Sequence, residues 1–163
     1  MASTNSAVDR YGLAMSTSSQ DAADRYIQGL DIALAQGYGP EPELEAAIKT
    51  DEGFALAYAG LAMMQMLRMA GPLAKETIQC AQELQEGISR REQQQFQIIN
   101  LWINGEGHKA AALLRDHLAE FPLDSLMVRL AQRLYIRGCS TDGAGESNFP
   151  EAYYALLSSI APA

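Results

Sequence analysis

The chain has 163 residues, a length that suits one compact domain. Hydrophobic residues make up 48% of it, and the formal net charge is −8, with 12 Lys and Arg against 20 Asp and Glu. This composition argues against a disordered chain. It also argues against a nucleic-acid-binding protein, because an acidic surface repels phosphate backbones. Ala and Leu are abundant while Val occurs only at Val8 and Val128, which favours helices over strands.

The first 17 residues are polar and lack the apolar segment of a secretory signal, so they are predicted to form a loose leader. No later apolar run is long enough to cross a bilayer, and we therefore expect a cytoplasmic protein without membrane contact. The two cysteines, Cys80 and Cys139, belong to no metal-binding motif. They are expected to be reduced thiols, as is usual in the cytoplasm.

Eight helices are predicted between turns rich in Gly and Pro. The first begins at Ser18 and ends at Gly37, because glycine permits a left-handed cap. Ser89 and Glu92 form a capping box at the start of helix five, and Asp124 is expected to cap helix seven. The predicted helices cover about 18–36, 42–50, 54–70, 72–86, 89–103, 108–120, 124–137 and 150–160, with a polar loop over 139–148.

Two stretches show the spacing of a tetratricopeptide unit, which consists of two helices in about 34 residues with small residues where the helices cross. Ala47 and Ala110 stand at crossing positions of second helices. The residues that match other positions of the repeat are Tyr58, Leu61, Ala62, Leu114, Leu118 and Pro122. The predicted fold is therefore all-α, with antiparallel helix pairs stacked as a short, right-handed, TPR-like solenoid. Residues 18–163 are expected to form this single domain.

Several sequence stretches resemble the tetratricopeptide repeat protein 38-like family. They are 9–19 (DRYGLAMSTSS), 44–48 (LEAAI), 51–55 (DEGFA), 90–92 (RRE), Leu101-Trp102, Gly105, 110–122 and Leu130-Ala131. The resemblance covers roughly residues 9–138, and the matched residues are mostly packing residues. It implies a helical-repeat protein without a well-defined activity. Because such proteins are usually longer, it also implies the N-terminal part of a longer solenoid.

Stacked helix pairs form a concave groove that the first helix of each pair lines, so the predicted function is non-enzymatic binding of a protein or peptide partner. The candidate groove residues are the polar ones of helices three, five and seven: Gln65, Arg68, Gln94, Gln97, Asn100, Arg129, Gln132 and Arg133. A homodimer through the terminal helices is the alternative. A third hypothesis is a small apolar ligand between helices three and five, near the methionines at Met63, Met64, Met66 and Met69.

The sequence contains no recognisable catalytic or metal-binding motif. His108 and His117 lie nine residues apart on one predicted helix, which is not the spacing that brings two histidines to one metal. They are assigned surface or helix-end roles. No nucleophile elbow and no phosphate-binding glycine motif is present. We therefore predict neither an enzyme nor a cofactor, and no metal site.

Overall fold

The computed structural model describes residues 7–84, 86–139 and 149–161, with residues 149 and 150 described by their backbone alone. Within these ranges the fold is all-α, as predicted, apart from one short hairpin. The helices are α1 (Gln20–Leu34), α2 (Glu41–Thr50), α3 (Ala55–Leu67), α4 (Gly71–Gln82), α5 (Arg90–Ile103), α6 (Gly107–Glu120), α7 (Ser125–Ile136) and α8 (Phe149–Ile160). The eight predicted helices are confirmed. The predicted loop over 139–148 lies outside the described residues except for Cys139.

The helices pack as successive pairs. The closest partners are α1 with α2, α3 with α4 and α5 with α6, and each pair also contacts the next. The first helices contact each other as well, α1 with α3 and α3 with α5. One further contact joins α7 to α1. The first and the seventh helix are therefore neighbours, although 90 residues separate the end of α1 from the start of α7.

Small residues allow this close packing, as the repeat spacing predicts. Ala47 and Ala110 are fully buried at the crossings of their pairs. Gly29 of α1 faces α2, where a Cβ atom would lie 3.0 Å from the Leu44 side chain and 3.2 Å from the Pro40 carbonyl oxygen. The two helices of the first pair can therefore approach each other only because residue 29 carries no side chain.

The helix ends follow the sequence signals with two exceptions. Ser89 and Glu92 make the predicted capping box, and the Asp124 side chain accepts a hydrogen bond from the Met127 amide. Helix α1, however, ends with Gln36 rather than glycine in the left-handed region, at φ 55°. Met69 takes the same conformation after α3, at φ 67°. Glycine is the usual residue there, because it avoids the steric cost of the left-handed backbone.

The loose leader is the prediction that the structure corrects. Strand β1 (Ala7–Val8) pairs antiparallel with β2 (Ala14–Met15), with Ala7 opposite Met15. The turn between them is closed by the Asp9 carboxylate, which accepts hydrogen bonds from the Tyr11 and Leu13 amides at 2.9 Å each. Met15 is 1% exposed and belongs to the same core as the helices. Residues 7–17 are therefore part of the folded domain.

Candidate functional site

A buried polar cluster joins the N-terminal ends of α5 and α7. Its centre is Asp124, whose Oδ2 lies 3.1 Å from Arg91 Nη1 and 3.1 Å from His117 Nε2. Gln95 donates a further hydrogen bond to the same oxygen at 2.5 Å. All four side chains are almost completely buried. A buried carboxylate is tolerated only with such partners, because burial removes its hydration.

The hairpin is attached to this cluster through its backbone. Arg91 donates a hydrogen bond from Nη2 to the Ala14 carbonyl oxygen at 2.9 Å. The neighbouring Glu92 accepts one from the Ser16 amide at 2.8 Å and one from the Ser16 hydroxyl at 2.5 Å. Glu92 also accepts from the Ser89 amide at 2.8 Å and thereby completes the capping box of α5. One consecutive Arg-Glu pair thus binds an extended segment of the same chain.

The burial of Tyr26 on α1 shows that the surroundings of the polar cluster are shielded from solvent. Burial raises the pKa of its hydroxyl, the negative charge of Asp124 adds to the rise, and the positive charge of Arg91 opposes it. The ring packs edge-on against Phe54, with ring centroids 5.4 Å apart. The groups around Arg91 and Asp124 therefore lie inside the domain, and neither of the two cavities described below is lined by them.

His117 lies in the last turn of α6, which agrees with a helix-end role, but the alternative of a surface position was wrong. His117 is 0% exposed, and its Nδ1 lies 2.7 Å from Gln94 Oε1. His108 does begin a helix, is exposed, and places Nδ1 3.0 Å from the Cys139 carbonyl oxygen. The part of the chain that the structure describes brings no three His, Cys, Asp or Glu side chains together in a way that could hold a metal ion.

The eight candidate groove residues do not share one face. Gln65 is buried in α3, and Arg68 is paired with Glu41 at 2.7 Å, with its guanidinium above the Tyr38 ring. Gln94 donates to Glu120 on α6. Asn100 accepts a hydrogen bond from Asn104 on the same helix, and Gln97 is exposed on α5. The remaining three, Arg129, Gln132 and Arg133, lie on α7 at the edges of two separate cavities.

The first of these openings, the Tyr11 groove, has a volume of about 400 Å³. It lies between the hairpin turn, the end of α1, the α6–α7 turn and α8. Its lining residues are Tyr11, Leu34, Pro122, Leu123, Ser125, Val128, Arg129, Gln132 and Tyr153. The described lining residues are mostly apolar and aromatic, and they include one cation and no carboxylate.

The second opening, the Trp102 cavity, has a volume of about 430 Å³. It lies at the C-terminal ends of α3, α5 and α7 and at the start of α6. Its lining residues are Met66, Met69, Trp102, Gly105, Gly107, His108, Arg133, Arg137 and Cys139. The C-terminal ends of α3, α5 and α7 thus border this cavity, mostly through residues other than those we selected.

Sequence reasoning missed the groove residue Tyr11 because it comes from a part of the chain distant from α7, and it considered Tyr153 only as part of a docking face for a second copy or for further repeats. The spacing of Arg129, Arg133 and Arg137 was an available signal. Three arginines four residues apart form a single stripe on a helix. A stripe of this kind, without an acidic residue in the same helix, indicates a face that meets something negative or remains solvated.

Comparison with known proteins adds no relative. No family model, no curated protein and no solved structure matches this chain. Among the helices of the described residues, none combines the length and the apolar character that crossing a membrane requires.

Proposed function

We propose that the protein is a non-enzymatic, TPR-like scaffold or adaptor that binds a protein or peptide partner in the Tyr11 groove. The observation that carries this proposal is the chemistry of the groove lining. Tyr11 and Leu123 are each about half exposed, at 47% and 49%, beside an arginine that has no acidic partner among the described residues. Exposed aromatic and apolar side chains around an arginine are typical of the energetic centre of a protein interface.

The groove favours a partner that brings one apolar side chain and one carboxylate. Arg129 makes a 3.4 Å hydrogen bond to Gln132 on its own helix, so its charge remains available. Arg129 lies near Tyr153, where its positive charge opposes the rise in the hydroxyl pKa that burial causes. A carboxylate bound to Arg129 would form a charge-assisted hydrogen bond next to an aromatic ring.

Arg91 and Glu92 are not available to a partner, because they already bind the hairpin segment. This contact supports a binding role, since the two side chains hold an extended backbone of the same chain. The proposal includes a cytoplasmic location. The two cysteines of the chain are both free, which suits a reducing compartment.

A pull-down with mass spectrometry tests the proposal. The bait variants are Leu123→Ser and Arg129→Ala in the groove, and the matched controls are Leu73→Ser and Arg115→Ala outside it. Leu73 and Leu123 are equally exposed, at 49% each. We expect the groove variants to lose a partner that both control variants retain. Equal recovery from all four variants would reject the groove.

Self-association is the second candidate, favoured by Tyr154 on α8 and Ile136 on α7, which are 66% and 46% exposed. Isologous contacts between such patches are the usual basis of homodimers. Light scattering of the purified chain separates the two proposals. A dimer that Tyr154→Ser converts to a monomer would favour self-association over an adaptor role.

A further inference from the structure

The Trp102 cavity is bordered by two arginines. Arg133 and Arg137 lie one helical turn apart on α7 and border the same cavity. No carboxylate of the described residues lies within 4.0 Å of either guanidinium. Five other arginines do have such a partner: Arg10, Arg25, Arg68, Arg90 and Arg91. Two guanidinium groups beside one opening, without an acidic partner among the described residues, form a positive site in a chain with 20 acidic residues.

The wall opposite the arginines is apolar and adaptable. Met66 and Met69 at the end of α3 and Trp102 at the end of α5 line it. Met69 is 77% exposed and stands at the mouth in a left-handed conformation. Methionine is flexible and polarisable, so two methionines beside an indole can fit ligands of different shape. The volume of about 430 Å³ lies within the range of ordinary small-molecule sites.

We infer that the Trp102 cavity binds a small amphipathic carboxylate, with the carboxylate between Arg133 and Arg137 and the apolar body against Trp102 and Met66. Guanidinium groups match the geometry of a carboxylate and bind it through paired hydrogen bonds. Transfer of the apolar body from water into the cavity is favourable. Hydrogen bonds to the two arginines offset the hydration that the carboxylate loses. Among the described residues, none of those that line the cavity is an Asp or a Glu, which would repel the ligand.

This site is separate from the Tyr11 groove, because the two openings share no lining residue. Binding of a small carboxylate therefore goes beyond the proposed adaptor role, and each can fail without the other. Loss of protein capture in the Leu123→Ser variant concerns only the groove. Loss of carboxylate binding in variants of Arg133 and Arg137 concerns only the cavity.

The fluorescence of Trp102 gives a direct measurement, because the chain contains one tryptophan. The full chain is titrated with octanoate, and with octanol and octylammonium as neutral and cationic ligands of the same length. We expect a saturable change in Trp102 emission with octanoate, and at least tenfold weaker binding of the other two. Tenfold corresponds to about 1.4 kcal/mol at 25 °C.

The variant that tests the arginines is Arg133→Gln/Arg137→Gln, and its control is Lys75→Gln/Arg115→Gln, which removes the same total charge at two exposed positions outside both openings. We expect the first to weaken octanoate binding at least tenfold and the second to change it less than twofold. The single variant Arg137→Gln, at an exposed position, should weaken binding at least threefold if the double variant does not fold. The inference is overturned by absence of saturable binding, by octanol binding as tightly as octanoate, or by equal effects of the two double variants.

Discussion

Arg91 Nη1 lies 3.1 Å from Asp124 Oδ2, and the two side chains are 7% and 2% exposed. This ion pair joins the start of α5 to the start of α7, and through the Ala14 carbonyl oxygen it also holds the hairpin. One guanidinium thus connects three parts of the chain that are far apart in sequence. Its removal should therefore affect the stability of the whole domain.

The variant Arg91→Met should destabilise the protein by about 3–5 kcal/mol, because it leaves the Asp124 carboxylate buried without its cation. Urea denaturation followed by circular dichroism measures the free energy of unfolding. The neighbouring Arg90 supplies the control, since it pairs with Glu120 at the surface. Arg90→Met should cost much less than Arg91→Met, because solvent screens an exposed ion pair. Similar losses of unfolding free energy in the two variants would show that the buried ion pair stabilises the protein no more than the surface pair does.

The variant Met15→Ala tests whether the hairpin belongs to the core. Met15 is 1% exposed, so its truncation should cost about 2–5 kcal/mol, as cavities in a packed core do. Val8, in the partner strand, is 53% exposed, and Val8→Ala should change stability by no more than about 0.5 kcal/mol. If Met15→Ala were as mild as Val8→Ala, residues 7–17 would be the loose leader that the sequence suggested.

The variant Met69→Gly should stabilise the protein by about 1 kcal/mol, because glycine adopts the left-handed conformation without the steric cost that other residues meet. Replacement by glycine inside a helix is expected to lower the stability instead. Leu73→Gly, at a half-exposed position of α4, should destabilise by about 1 kcal/mol. Thermal melts of both variants measure the difference, and a loss of stability in Met69→Gly would contradict the backbone assignment.

The pKa of Glu120 provides a test of the surface pair with Arg90. The hydrogen bond from Arg90 lowers the pKa of this carboxyl group. A carboxyl pKa that is lower in the folded state stabilises the protein above the unfolded-state value, and this contribution is lost as the pH falls through the folded-state pKa. In NMR titrations, Arg90→Gln should raise the pKa of Glu120, while Arg115→Gln should leave it in place. An unchanged value in Arg90→Gln would show that the pair does not form in solution.

The two thiols should differ in reactivity. Burial raises the pKa of the Cys139 thiol, although the positive charge of Arg137 opposes the rise, whereas Cys80 is exposed. Because the thiolate is the reactive form, iodoacetamide at neutral pH should modify Cys80 faster than Cys139. Mass spectrometry of timed samples gives the two rates, and in urea the rates should converge. Faster modification of Cys139 in the folded protein would contradict its placement.

The helices could be predicted because each signal is local. The capping box of Ser89 and Glu92 and the cap at Asp124 involve residues three positions apart, and the structure shows both. The hairpin could not be predicted in this way, because two strands of two residues each are too short to show alternation. The role of Arg91 could not be predicted from the sequence either. Its partner Ala14 is 77 residues away, and arginine is rarely buried.

The structure separates the candidate groove residues from one another for a reason that the sequence does contain. Helix α3 is apolar on nearly all sides, which indicates a helix that packs against neighbours all round. It contacts α1, α2, α4 and α5, and even Gln65 is buried. The choice of its polar residues as ligand contacts was therefore unsafe. The polar residues selected on α7 agree better with the structure than those selected on α3, since all three border openings: Arg129, Gln132 and Arg133.

Site-specific photocrosslinking tests the proposed binding groove most directly. A photoreactive phenylalanine analogue replaces Leu123 in the Tyr11 groove or, as the control, Leu73 on α4, and both positions are 49% exposed. After irradiation in cell extract, the account predicts one discrete protein adduct from position 123, lost on Arg129→Glu, and none from position 73. Adducts of the same mass and yield from both positions, or an adduct that Arg129→Glu leaves unchanged, would contradict it.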